Sequence, residues 1–207
     1  DASPVVHLRE PGDTARAHEE ARTAVEIAVE AGMRFPEALS RYGLALALCA
    51  RGEHAAAARE LDGLGRIASE SGSAFLEYMH GLGRALSALD RREPDGIEWL
   101  RRAMAVGRKH GIMQTFWWHS PSMARLCATA LEHGIEPAYV RELIARRRLT
   151  PPPDAAVLDD WPWPVRVFTL GRLGVQRDGR PLDAAGRGQR KPIEMLTTLI
   201  ALGGREV

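Results

Sequence analysis

The densest chemistry in the chain is Phe116-Trp117-Trp118-His119, where three aromatic rings and an imidazole follow one another. Such a run suits two tasks. Large rings can fill the gap where one helix pair stacks on the next, since aromatic side chains act mainly through burial. They can also wall a recess and stack on a ligand such as a sugar, a peptide or another effector. Two basic runs offer a different chemistry. Arg187-Gly188-Gln189-Arg190-Lys191 sets Arg187, Arg190 and Lys191 in a glycine-containing loop, from which their charges could meet phosphate oxygens. Arg146-Arg147-Arg148 falls at a helix end, where cations are favoured by the dipole and by solvent, the alternative being contact with an acidic partner.

Enzymatic chemistry finds no foothold. Gly186 to Lys191 lacks the spacing with which a phosphate loop wraps backbone N–H groups around its ligand. His18-Glu19-Glu20 and His54 do not form the His-Glu-x-x-His pattern of a zinc peptidase, and Cys49 and Cys127 have no Cys or His at zinc spacing. Each cysteine sits in an Ala/Leu-rich helical stretch and reads as a small core residue of a protein kept in a reducing cytoplasm. The expectation is a non-enzyme with no cofactor and no metal.

These side chains need a scaffold, and its outline is legible. The 207 residues are 45% hydrophobic and 27% charged, which excludes wholesale disorder. No apolar run nears the ~20 residues of a membrane helix. Three segments end in glycine at Gly32, Gly72 and Gly111, spaced by 40 and 39 residues. Tyr42-Gly43-Leu44-Ala45-Leu46 and Leu82-Gly83-Arg84-Ala85-Leu86 are also 40 apart, as are Glu53 and Glu93. Each period therefore holds two helices. A pair of that size cannot bury its apolar stripe alone, so pairs must stack. Helices are predicted over 13–32, 36–51, 53–71, 74–91, 95–110, 116–133 and 137–147, with Asp13 and Asp95 as N-caps and Pro36 and Pro137 in first turns.

At Thr150-Pro151-Pro152-Pro153 the pattern breaks, since proline removes backbone donors and fixes φ. Residues 150–164 read as a stiff Pro/Trp-rich linker between a helical domain, 1–149, and a second one, 165–207. Val165 to Leu170 and Leu173 to Arg177 are β-rich, Asp178-Gly179 is a hairpin signal, and Pro192 to Leu202 is an amphipathic helix. Charge divides in the same way. Residues 1–160 carry 20 Arg/Lys against 23 Asp/Glu, and residues 161–207 carry 8 against 4. The chain begins without Met and stops where a new element would start, as expected of a piece of a longer protein.

The small residues Gly43 and Gly83, with Leu39 and Met79 four positions earlier, resemble the close-packed first helix of the tetratricopeptide family. The form resembled is the longer-period one found in the ligand-sensing regions of MalT-like bacterial transcription regulators. Two departures stand out. The aromatic expected near each repeat start is replaced by Leu or Met, and the period exceeds ~34 residues, as in other helical-repeat folds. Leu170-Gly171-Arg172-Leu173, Asp178-Gly179-Arg180-Pro181-Leu182 and Arg190-Lys191-Pro192-Ile193-Glu194-Met195-Leu196 resemble the opening of an OmpR-type winged-helix DNA-binding domain.

The resemblance implies a mostly α fold, a TPR-like helix-pair solenoid followed by a truncated small β-sheet plus helix. It implies a regulatory region of a bacterial transcriptional activator that binds an effector small molecule or a protein segment and acts on DNA through the complete parent protein. No membrane partner is expected, and a homo-oligomer is left open. The alternatives are a protein-interaction scaffold without inducer, or the repeat region of an ATP-dependent, MalT-like regulator.

Overall fold

A computed structural model describes residues 11–153, 160–168, 174–177, 180–182, 195 and 198–199. Among them run seven helices: α1 (Pro11–Glu30), α2 (Arg34–Ala50), α3 (His54–Ser71), α4 (Ala74–Asp90), α5 (Asp95–His110), α6 (Ser120–Glu132) and α7 (Pro137–Arg147). Three strands follow: β1 (Val165–Phe168), β2 (Gly174–Arg177) and β3 (Arg180–Pro181). The chain divides into two compact units, Asp1–Trp161 and Pro162–Val207.

The helices form because their apolar residues recur at three- and four-residue steps. On α3, Ala57, Leu61, Leu64 and Ala68 make one buried stripe, and on α4 Leu76, Met79, Leu82 and Leu86 make another. Each fully buried leucine contributes about 1.5–3 kcal/mol. Consecutive helices pack on each other, and in addition α2 meets α4, α4 meets α6 and α5 meets α7. Thus α2, α4 and α6 neighbour one another in turn, as do α5 and α7. Gly83 sets the approach of α4 to α3, since a Cβ there would strike the side chain of Leu61.

The 40-residue period reappears in the turns. After α2, Gly52 is left-handed at φ +77°, the Glu53 N–H bonds the Leu48 carbonyl at 2.9 Å, and Arg51 pairs with Glu53 at 2.6 Å. Forty residues on, Arg92 is left-handed at φ +57°, the Glu93 N–H bonds the Ala88 carbonyl at 2.9 Å, and Arg91 pairs with Glu93 at 2.7 Å. The second copy forms without glycine. A bulky residue in this region costs ~1–2 kcal/mol, here borne by the surrounding turn.

Several predicted ends move. Helix α1 begins at Pro11, so Asp13 lies inside its first turn and is not its N-cap. Pro94 holds the N-cap position of α5, and Asp95 is the first helical residue, still close enough to favour the dipole. The largest correction is α6. It starts at Ser120, so residues 116–119 are not helical: Pro121 has no N–H to bond the Trp117 carbonyl and fits a first turn, and His119 takes the extended N-cap position.

Trp161 is 2% exposed and belongs to the first unit. In the second unit β1, β2 and β3 form an antiparallel meander, with Phe168 opposite Gly174 and Arg177 opposite Arg180. Asp178-Gly179 and most of the predicted 192–202 helix lie outside the described residues; of that segment Met195, Thr198 and Leu199 are described, and they are helical.

Candidate functional site

Between α5 and α6 the chain crosses a loop in which the four residues of the aromatic motif part company. Phe116 packs edge-on against Phe75 of α4, centroids 6.1 Å apart and planes at 78°. Phe35 and Phe75 are 40 residues apart and each is the second residue of its helix, a periodic signal that sequence reasoning overlooked, while Phe116 follows 41 residues later in the loop before α6.

Trp117 turns the other way. Its backbone is left-handed at φ +53°, a strained state for a large side chain. Two contacts hold it. The indole lies over Gly43 of α2, where an added Cβ would come within 2.9 Å of Nε1, and its Nε1–H donates to the Leu39 carbonyl at 3.0 Å. The bare Gly43 leaves that carbonyl open. Trp118 donates its Nε1–H to Ser120 Oγ at 3.1 Å, and the Arg147 guanidinium of α7 sits 4.5 Å from its ring centroid. Arg147 also donates to the Gln114 side chain at 3.4 Å.

His119 caps α6. Its Nδ1 accepts the Ser122 N–H at 3.3 Å and lies 2.8 Å from Ser122 Oγ. An accepting Nδ1 places the proton on Nε2, and burial holds the ring below its usual pKa, in the neutral form a cap requires.

Trp117, Trp118 and His119 form one wall of a cavity of about 360 Å³. Helix α1 supplies Glu20, Ala21 and Ala24, and α6 supplies Ser122 and Arg125. The floor comes from α2 and α4 at positions one period apart, Leu46 with Leu86 and Ala50 with Asp90. Arg125 pairs with Asp90 at 2.6 Å, and Glu20 pairs with Arg16 at 2.7 Å in an exposed bridge worth little. Cys49 also lines the space, its thiol raised mainly by burial, and Cys127 is pushed up to about 12 by burial. Both cysteines are free and buried.

A second aromatic cluster lies on α3, α4 and α5. Trp99 receives the edge of His80 at 5.3 Å and the guanidinium groups of Arg84 and Arg102 at 5.9 and 5.7 Å. Arg84 also pairs with Asp62 and donates to His80 Nε2 at 3.3 Å. Burial and then the Arg84 charge pull His80 down to about 4, against the opposing pull of Asp62.

No family model, curated protein or solved structure matches the chain. The geometry alone speaks for function. Among the described residues no group of three His, Cys, Asp or Glu is gathered to hold a metal, and no helix is long and apolar enough to cross a membrane. Arg187, Arg190 and Lys191 lie outside the described residues. The Arg146–Arg148 run divides: Arg146 pairs with Glu142 at 2.7 Å, Arg147 covers Trp118, and Arg148 ends α7 at φ +50°.

Sequence reasoning missed Glu20, Asp90 and Arg125. They come from three different helices, and only the 40-residue register, which places Asp90 where Ala50 stands one repeat earlier, hinted at one of them.

Proposed function

We propose that residues 1–161 are the effector-sensing, TPR-like helical-repeat region of a bacterial transcriptional regulator, joined to the opening sheet and helix of a winged-helix DNA-binding domain. The cavity beside the aromatic loop carries this reading. It is largely apolar with a few converging polar groups, the build of a small-molecule site. The doubled turn supports the repeat register, and the β1–β2–β3 meander supports the winged-helix opening. An occupant would favour one arrangement of the aromatic loop and of α7, which Arg147 ties to it, and so bias the DNA-binding state.

The test uses the full-length regulator bound to its own promoter. Footprints are recorded with and without the small-molecule fraction of the host cell, for the native protein and for Ala24→Leu, which fills the cavity from α1. The fraction should change the native footprint by about tenfold in apparent affinity and leave the filled variant unmoved. A footprint indifferent to the fraction, or an equal response from the filled protein, defeats the reading.

A further inference from the structure

The walls of the cavity also say what kind of molecule fits. Its inner surface is methyl and ring: Ala21 and Ala24 from α1, Ala47 from α2, Leu46 and Leu86 on the floor, and the indole of Trp117. Three of the donors that a sugar or nucleobase would use are already engaged, leaving the His119 Nε2–H and the Arg125 guanidinium. The Trp117 N–H is held by the Leu39 carbonyl, the Trp118 N–H by Ser120, and the Ser122 hydroxyl by His119. Trp117 therefore offers a π-face to an occupant and no free N–H, while the ring of Trp118 is met by Arg147.

The charged lining residues are two carboxylates, Glu20 and Asp90, and one guanidinium, Arg125. The side chains of Glu20 and Arg125 are 65% and 50% exposed and so stand at the mouth, while that of Asp90 is 23% exposed and sits deeper. An anion would have to draw Arg125 away from Asp90 and then face the bared carboxylate. A cation joins carboxylates that are already paired, Asp90 with Arg125 and Glu20 with Arg16, and bares neither. It can share Asp90 with Arg125, approach Glu20, and gain from the electron-rich indole face.

We propose that the cavity binds an amphipathic amine, an apolar body seated on the alanine and leucine walls with one protonated nitrogen directed to Asp90 and Glu20. This rests on the reading of the cavity as the effector site and adds the chemical class of the effector.

Three probes with one body and different heads decide the matter: 4-phenylbutylamine, 4-phenylbutanol and 4-phenylbutyrate, titrated calorimetrically into the chain at neutral pH and low salt. The amine should bind about tenfold more tightly than the alcohol, and the acid more weakly than either. Asp90→Asn and Glu20→Gln should each bring the amine about three- to tenfold closer to the alcohol, whose own affinity stays put. Ala24→Leu should abolish binding of all three. Equal affinities, a preference for the acid, or no binding by the amine overturns the proposed class while leaving the footprint test of the effector reading intact. Amine binding unaffected by Ala24→Leu also overturns the proposed class, because the probe would then sit elsewhere, and the effector reading still rests on the footprint test.

Discussion

Two tryptophan clusters in the first unit use the same ring in opposite ways. Trp99 is closed in by its own protein: His80 meets it edge-on, and Arg84 and Arg102 lie within 6 Å of its ring. Its electron-rich face is already matched with cations, and nothing remains to offer a ligand. Trp117 is held by its N–H and by the notch at Gly43, yet it is 44% exposed and borders the cavity. What separates a structural aromatic from a recognition surface here is which part of the ring the protein engages. Fixing the N–H leaves a face free, and covering the face leaves none.

That contrast can be tested by removing each ring. Trp99→Ala should cost the larger stability, about 2–3 kcal/mol, since it deletes a half-buried ring and its contacts with His80, Arg84 and Arg102, and it should leave 4-phenylbutylamine affinity within about twofold of native. Urea denaturation and calorimetry on the same samples give both numbers. A tenfold loss of probe affinity would erase the distinction between the clusters.

The Trp99 cluster should also be the acid-labile one. His80 has a folded pKa of about 4 against an ordinary 6.5, so on acidification the unfolded chain takes up the proton first. Stability from this group is complete above about pH 6.5 and falls as pH drops towards 4, by about 1–2 kcal/mol for a ring partly screened by solvent. His80→Gln keeps an acceptor for Arg84 without the titration, and it should flatten the difference in denaturation midpoint between pH 7 and pH 4.5. An unchanged slope would show that His80 bears no pH-linked share.

Trp117→Ala should show the smallest stability change and the sharpest functional one. Removing an exposed ring and one hydrogen bond costs about 1 kcal/mol, and relief of the strained backbone offsets part of it. Amine affinity should fall about tenfold. If melting drops as far as in Trp99→Ala while the probe still binds, the ring is a packing residue.

Much of this was written in the sequence, and what was not has a physical reason. The helix breaks at Gly32, Gly72 and Gly111 were legible, and all three glycines are left-handed, because only that residue enters the region without a Cβ clash. Arg92 was not legible as a left-handed residue, since its conformation is imposed by the turn around it and only the period from Gly52 points to it. The start of α6 was misplaced because Phe116 to Trp118 are apolar enough to extend a helical stripe, and Pro121 was given too little weight. The aromatic motif stood out in the sequence as either a packing cluster or a ligand wall, but its division among three helices depends on tertiary contacts that no local pattern encodes. The acidic character of the cavity was invisible for the same reason, as Glu20 and Asp90 are 70 positions apart in the chain.

Arg147 reaches the aromatic loop through the Trp118 ring and the Gln114 side chain, two contacts at a partly exposed site. Together they are worth about 1 kcal/mol, enough to tilt a two-state balance about fivefold and no further. A signal carried by that route rises smoothly with occupancy and has a narrow dynamic range. Under the proposed regulatory reading, such a device would adjust its output in the manner of a dimmer, and a steeper response would have to come from several copies acting together.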